Sequence, residues 1–169
     1  MGTAPRTPQT DDERHAQALA WALSHINRRE RTTAEVHAHL ARRGVSEAIA
    51  QRVVEELTAQ RLVDDARFAE MFVADKRTLE QWGSERIRRG LAERGVDREL
   101  AEQALAAGDG CDDEESQTEL DRAVELLRRR FPEPPRERRD RDRALGMLLR
   151  KGYESELAVD ALAAHARAA

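Results

Sequence analysis

Three times along this chain a leucine is followed four residues later by a glycine: Leu40 and Gly44, Leu91 and Gly95, Leu148 and Gly152. A cation precedes each glycine (Arg43, Arg94, Lys151). Aliphatic residues follow five and ten positions after it: Ile49 and Val54, Leu100 and Leu105, Leu157 and Leu162. A period of roughly 50 residues marks a tandem array, and it constrains the fold more than any single motif does. The leucine places an apolar anchor in a last helical turn. Glycine enters the left-handed region without a Cβ penalty, so it stops the helix just past that anchor. The cation sits where the carbonyl end of the helix dipole favours positive charge. Ser46, Asp97 and Glu154 or Ser155 then stand where a polar side chain can cap the next helix. Each copy spells helix, tight stop, helix.

The residues between the copies supply a further helix each. Residues 1–10, with Pro5 and Pro8 among Thr and Gln, lack an apolar period and are expected to form a disordered tail. Asp11 or Asp12 with Glu13 opens a helix whose buried stripe is read as Leu19, Leu23 and Ile26. Thr32-Thr-Ala-Glu35 is a capping-box pattern ahead of Val36 and Leu40. Asp64 is read as the N-cap of the helix carrying Phe68 and Phe72. Gly108 to Glu115, with its glycines and acids, reads as an acidic hinge. Phe131-Pro-Glu-Pro-Pro135 breaks the third copy, because proline cannot continue a helix interior; the next helix is expected from about Arg136. The boundaries expected are 11–63, 64–107 and 116–169 for the three repeats. No segment alternates with period two. The fold class expected is all-α: an elongated tandem array of three three-helix, helix-turn-helix-like repeats.

Composition narrows the function. A unit of about 50 residues buries only about 60% of its unfolded surface. With 37% charged and 40% apolar residues, the helices should be amphipathic over thin cores. The net charge of −4 excludes a general polyanion binder, so any nucleic-acid contact must come from local arginine clusters and weaken with salt. Cys111 is the only cysteine, which excludes an internal disulfide and a cysteine-rich zinc site. No apolar run reaches membrane-helix length and no signal-peptide core is evident at the N-terminus. A cytoplasmic, monomeric protein is expected.

Catalytic chemistry finds little support. His37 and His39 are two apart on a helix, so they point about 200° from each other and cannot share an ion. Cys111 stands among acids, which raise a thiol's pKa rather than lower it. No serine lies in a nucleophile elbow and no glycine-rich phosphate loop occurs. Neither an enzyme nor a metal or cofactor site is expected. What remains is arginine. Arg28, Arg29 and Arg31 end one helix, and Arg42 and Arg43 the next. Arg86, Arg88, Arg89 and Arg94 crowd the middle copy. Arg138, Arg139, Arg141 and Arg143 follow the proline break. Arg43, Arg94 and Lys151 are expected to serve helix ends and local acid pairs. Arg86, Arg88 and Arg89 are expected to share a guanidinium face suited to phosphates or to a partner's carboxylates. Aromatic residues amount to only 4%, too few for a base-stacking platform.

Several stretches carry a family resemblance. The run Asn27 to Val36 with Leu40-Ala-Arg-Arg-Gly-Val45, then Leu62-Val-Asp-Asp-Ala-Arg-Phe-Ala69, then Gly83, Ile87, Leu91, Arg94, Gly95 and Val96 resemble, in this order, the signatures of the bacterial RecX regulators. The similarity covers about residues 15–165. In that pattern Leu40, Gly44, Asp64, Asp65, Phe68, Ala69, Gly83, Ile87, Leu91 and Gly95 are motif residues, and Gly90 stands where an acidic residue would be expected. The resemblance implies tandem three-helix repeats and a partner, the RecA recombinase, bound chiefly as its filament on single-stranded DNA. It implies suppression of RecA's ATPase, strand exchange and co-protease activities, and so restraint of recombination and the SOS response. Weak direct DNA binding is a further implication. Two other readings stand beside it. A helix-turn-helix transcription regulator would show salt-sensitive, sequence-selective duplex binding without RecA, usually as a dimer. A structural adaptor for another helical partner would bind neither.

Overall fold

The computed structural model describes residues 10–108 and 117–167. Within them lie nine α-helices and no strand: α1 (Asp11–Ile26), α2 (Thr33–Arg42), α3 (Glu47–Ala59), α4 (Asp65–Thr78), α5 (Ser84–Ala92), α6 (Arg98–Gly108), α7 (Glu119–Arg130), α8 (Arg138–Lys151) and α9 (Ser155–Arg167). The tail expected over residues 1–10 lies outside the described residues except for Thr10. So does the acidic stretch 109–116 with Cys111. Thr10 caps α1 in a reciprocal capping box with Glu13.

The three glycine stops are one structure repeated. Gly44, Gly95 and Gly152 have φ of +76°, +73° and +91°. In each copy the leucine carbonyl accepts the N–H five residues on: Val45 to Leu40 (3.2 Å), Val96 to Leu91 (3.1 Å), Tyr153 to Leu148 (3.1 Å). The glycine N–H donates to the residue after the leucine, at 2.9–3.0 Å. This double bond is the Schellman closure, and the residue after the glycine supplies its apolar contact. Leu40, Leu91 and Leu148 are fully buried.

Two polar clamps recur as well. Thr33, the first residue of α2, donates its N–H and its hydroxyl to the two carboxylate oxygens of Asp65 (2.8 and 2.7 Å). Ser84, the first residue of α5, does the same to Glu119 (2.7 Å each). In both, the first residue of one helix is grasped by the carboxylate that opens another. A helix N-terminus has free N–H groups and a positive dipole end, so the carboxylate is well placed there. Asp64, beside Asp65, instead caps α4, accepting from Arg67 N–H (3.0 Å). α8 begins with Arg138, which has no hydroxyl, so the third repeat lacks the clamp.

Some expectations shift by one or two residues. In α1 the fully buried positions are Ala18 and Ala22, with Leu19, Leu23 and Ile26 half-buried at the edge of the core. Two methyl side chains one turn apart let α1 approach its neighbours closely, and the larger side chains close the flanks. Ser46 stands at the N-cap of α3 but makes no side-chain cap bond, whereas Asp97 accepts from Glu99 N–H (2.8 Å). α6 runs on to Gly108. α8 starts at Arg138 rather than about Arg136, with Glu137 extended at its N-cap.

The chain divides into two compact units, up to Phe68 and from Ala69. The core of the first gathers Val36, Leu40, Val53, Leu57 and Val63 with the α1 alanines. In the second, Ala123, Leu126, Leu127, Leu148, Tyr153, Ala158 and Ala161 form the core of the third repeat. In the middle repeat Phe72, Val73, Ile87, Leu91 and Leu105 are buried. Gly90 makes room there: a Cβ on it would fall 2.9 Å from the Phe72 ring. That is a steric reason for glycine at this position.

Candidate partner-binding surface

The arginines expected to face a partner divide into those that hold the fold and those that stand free on it. Arg86 belongs to the first set. α8 ends, as any helix does, with carbonyls that have no intrahelical donor. The start of α5 supplies donors: Gly83 N–H to the Lys151 carbonyl (2.9 Å) and Glu85 N–H to the Gly152 carbonyl (3.1 Å). Arg86 Nη1 adds a third, to the Arg150 carbonyl (3.1 Å), and its guanidinium lies 4.1 Å from the Trp82 ring centroid. Lys151 Nζ reaches the Glu80 carbonyl (2.6 Å) instead of its own helix end. The two backbones touch. A Cβ on Gly83 would fall 2.4 Å from the Gly152 carbonyl oxygen, and one on Gly152 would fall 2.3 Å from Arg86 Cβ.

Arg88 is held by Glu102 (2.7 Å) and by Glu85. The hydrogen bond to Glu102 raises the Arg88 pKa, and the same bond holds the Glu102 carboxyl below the usual carboxylate range. Arg94 donates to the Gly90 carbonyl (2.9 Å) in the last turn of α5 and lies over the Phe72 ring. The shared guanidinium face expected for Arg86, Arg88 and Arg89 therefore does not form. Arg86 is bound to α8 and Arg88 to α6, and of the three only Arg89 is exposed with no partner among the described residues.

In the first repeat Arg29 (3.0 Å) and Arg31 (3.8 Å) share the Glu35 carboxylate. Arg43 lies 4.9 Å from the Trp21 ring centroid, so it packs on an aromatic face instead of pairing with an acid. Arg28 and Arg42 are exposed. Among these cations the imidazoles of His25 and His39 stack, centroids 4.0 Å apart and planes 7° from parallel. Burial, then His39 and Arg31, lowers the His25 pKa to about 4. Burial and the arginines Arg43 and Arg42 lower that of His39. Two neutral rings can stack where two imidazolium ions would repel. His37 instead faces Glu47 at 3.8 Å. Among the described residues no group of three His, Cys, Asp or Glu is placed to hold a metal ion.

On α8, Arg138, Arg139, Arg141 and Arg143 are all exposed. Arg138 has only Asp142 nearby (3.9 Å), with side chains 94% and 69% exposed, a pair worth little in water. The cations left exposed are Arg28 and Arg42 in the first unit, and Arg89 with those of the first half of α8 in the second. Sequence reasoning missed the role of Asp65, which it named only as a motif residue, and missed Glu119 and the contact of Gly83 with Gly152. A hydroxyl residue recurring at the start of α2 and α5 was the available signal for the first two. Nothing local marks the third.

Three identical helix stops, two hydroxyl–carboxylate clamps and a set of free surface arginines define a tandem three-helix-repeat protein of helix-turn-helix-like units. Known proteins place it further. Residues 18–57, 64–105 and 117–162 match, respectively, the first, second and third three-helix domains of RecX. The chain belongs to the RecX family of regulatory proteins. It is 33% identical over 159 residues to regulatory protein RecX of Mycobacterium sp. (strain JLS), covering 90% of this chain and 84% of that one. It is 32% identical over 149 residues to regulatory protein RecX of Deinococcus radiodurans, covering 88% and 68%. The crystal structure of RecX from Lactobacillus salivarius has the same fold, with a TM-score of 0.78 at 20% identity over 94% of this chain and 99% of that one. Among the described residues no helix is long and apolar enough to cross a membrane.

Proposed function

We propose that this chain binds the RecA recombinase, chiefly as its filament on single-stranded DNA, and restrains its ATPase, strand exchange and co-protease activities. Recombination and the SOS response would be modulated as a result. The observation that supports this reading is the set of three RecX domains, in order, across residues 18–162. In this reading the protein acts in the cytoplasm as a monomer, with 11–63, 64–107 and 116–169 as its contact modules. Several modules engaging a filament of identical subunits would add avidity without any single strong contact. The arginines that face RecA or its DNA are Arg28, Arg42, Arg89, Arg138, Arg139, Arg141 and Arg143. Arg29, Arg31, Arg43, Arg86, Arg88 and Arg94 hold local structure. The net charge of −4 makes direct DNA binding weak and secondary.

The test is anisotropy of the fluorescently labelled chain against RecA filaments on single-stranded DNA, against bare single strand and against duplex. Filament binding that survives at a salt concentration where bare DNA is released is the expected result. Duplex binding with no preference for the filament would instead support a helix-turn-helix transcription regulator.

A further inference from the structure

We propose that the groove between the proline-rich link and α8 is the docking site for an acidic segment of the protein partner. That segment presents carboxylates on either side of an aliphatic side chain. The proposal rests on the partner being a protein filament, as above, and adds which surface it meets and by what chemistry.

The groove has a volume of about 1280 Å³, more than the roughly 300–1000 Å³ of a small-molecule pocket. A polypeptide segment fits that size better. One wall is the run from Phe131 to Pro135, and it is tied down before any partner arrives. Phe131 N–H donates to the Leu127 carbonyl (2.7 Å). The Phe131 carbonyl is met by Nε2 of His165 (2.8 Å), a buried side chain on α9. Pro132, Pro134 and Pro135 fix their own φ. A wall built this way loses little conformational freedom on binding, which favours affinity.

The opposite wall is one face of α8. Arg143, Met147 and Arg150 line the groove at spacings of four and three residues, so they stand in a row. Met147, half-buried, offers an adaptable apolar contact between two guanidinium groups. Arg143 and Arg150 are exposed, and neither makes an ion pair among the described residues. Seven residues of helix separate them by roughly 10 Å along the axis. Carboxylates about 10 Å apart on one face, two turns of a helix, would each meet one arginine in the planar geometry that guanidinium favours. The lining mixes signs elsewhere: Glu133, Glu137 and Asp140 stand in it together with Arg130, Arg136 and Lys151. The acids repel a uniformly charged phosphodiester chain laid along the groove, whereas a segment that places its carboxylates only at the arginines avoids them. A protein segment with localised charge is selected over nucleic acid.

The experiment places a benzoylphenylalanine photo-crosslinker at position 147 of the full chain, bound to RecA filaments on single-stranded DNA. The crosslinked fragment is then mapped. Binding of Arg143→Glu/Arg150→Glu is compared with that of Arg52→Glu/Arg98→Glu, an equal charge change at two exposed arginines outside the groove lining and outside the proposed contact set. Melting curves establish that both variants are folded. The result expected is a crosslink to a RecA peptide bearing at least two Asp or Glu. With it, the groove variant binds filament at least about tenfold more weakly and the control stays near the unsubstituted chain. A crosslink to DNA, the same loss in both variants, or full binding by the groove variant would overturn the proposal while leaving the RecA reading standing. If the unsubstituted chain binds no filament, the RecA reading falls first, and this proposal with it.

Discussion

Gly44 and Gly152 hold the same left-handed conformation in different surroundings. A Cβ added to Gly44 meets nothing within 4 Å, whereas one added to Gly152 strikes the backbone of Arg86 at 2.6 Å. Gly44→Ala should therefore lose only the conformational term, about 1 kcal/mol. Gly152→Ala should lose that and the contact of α8 with α5, and so more than about 2 kcal/mol. Urea unfolding of both variants checks the difference, and equal losses would show that the backbones do not touch. The histidine stack makes a second prediction at this scale. The His25 pKa is lowered to about 4 in the folded chain, against about 6.5 unfolded. Between those values the unfolded chain binds a proton that the folded one refuses, so the stability tied to neutral His25 is full above about pH 6.5 and lost as pH falls towards 4. The melting temperature of the native chain should fall more steeply than that of His25→Gln over that window. Parallel curves would mean the ring is not held neutral. Glu35, the one carboxylate acting on His25, opposes the shift, while Arg31, Arg42 and His39 reinforce it.

Among the elements, the clamps define how one helix start is held against another. Removing the carboxylate in Glu119→Ala leaves the Ser84 N–H and hydroxyl without their acceptor and should destabilise the chain by about 1–3 kcal/mol. Adding Ser84→Ala to Glu119→Ala should cost much less than Ser84→Ala does alone, since the pair acts as a unit. Additive losses in thermal melts would contradict the clamp. Much of this level is legible in the sequence, because its determinants are local. The glycine stops need only a leucine, a cation and a glycine at fixed spacing, and the Thr32–Glu35 capping box needs only four residues. The clamps and the Gly83–Gly152 contact join residues far apart in the chain: a hydroxyl at the helix start hints at a clamp, but no local pattern names the partner. Arg86, Arg88 and Arg89 show the same limit. Helical spacing places them together, but whether a guanidinium is free depends on Arg150 and Glu102, which spacing cannot place. The Ala18 and Ala22 core of α1 was hidden because leucine outweighs alanine in any apolar count, while close packing selects for the smaller side chain.

For the whole molecule, the full chain has a net charge of −4 and exposes cations in each of its three repeats. That combination disfavours non-specific DNA binding and suits a protein partner that offers repeated, locally acidic contacts. Because the exposed arginines lie in more than one repeat, the proposed inhibition of RecA should weaken in steps, and not vanish, when one cluster is lost. The most direct measurement is the single-stranded-DNA-dependent ATPase of the cognate RecA titrated with this chain at two salt concentrations. Inhibition complete well below one molecule per RecA, and retained at the higher salt, is what a regulator of the filament gives. An unchanged ATPase at several molecules per RecA, in a chain shown to be folded, would contradict it.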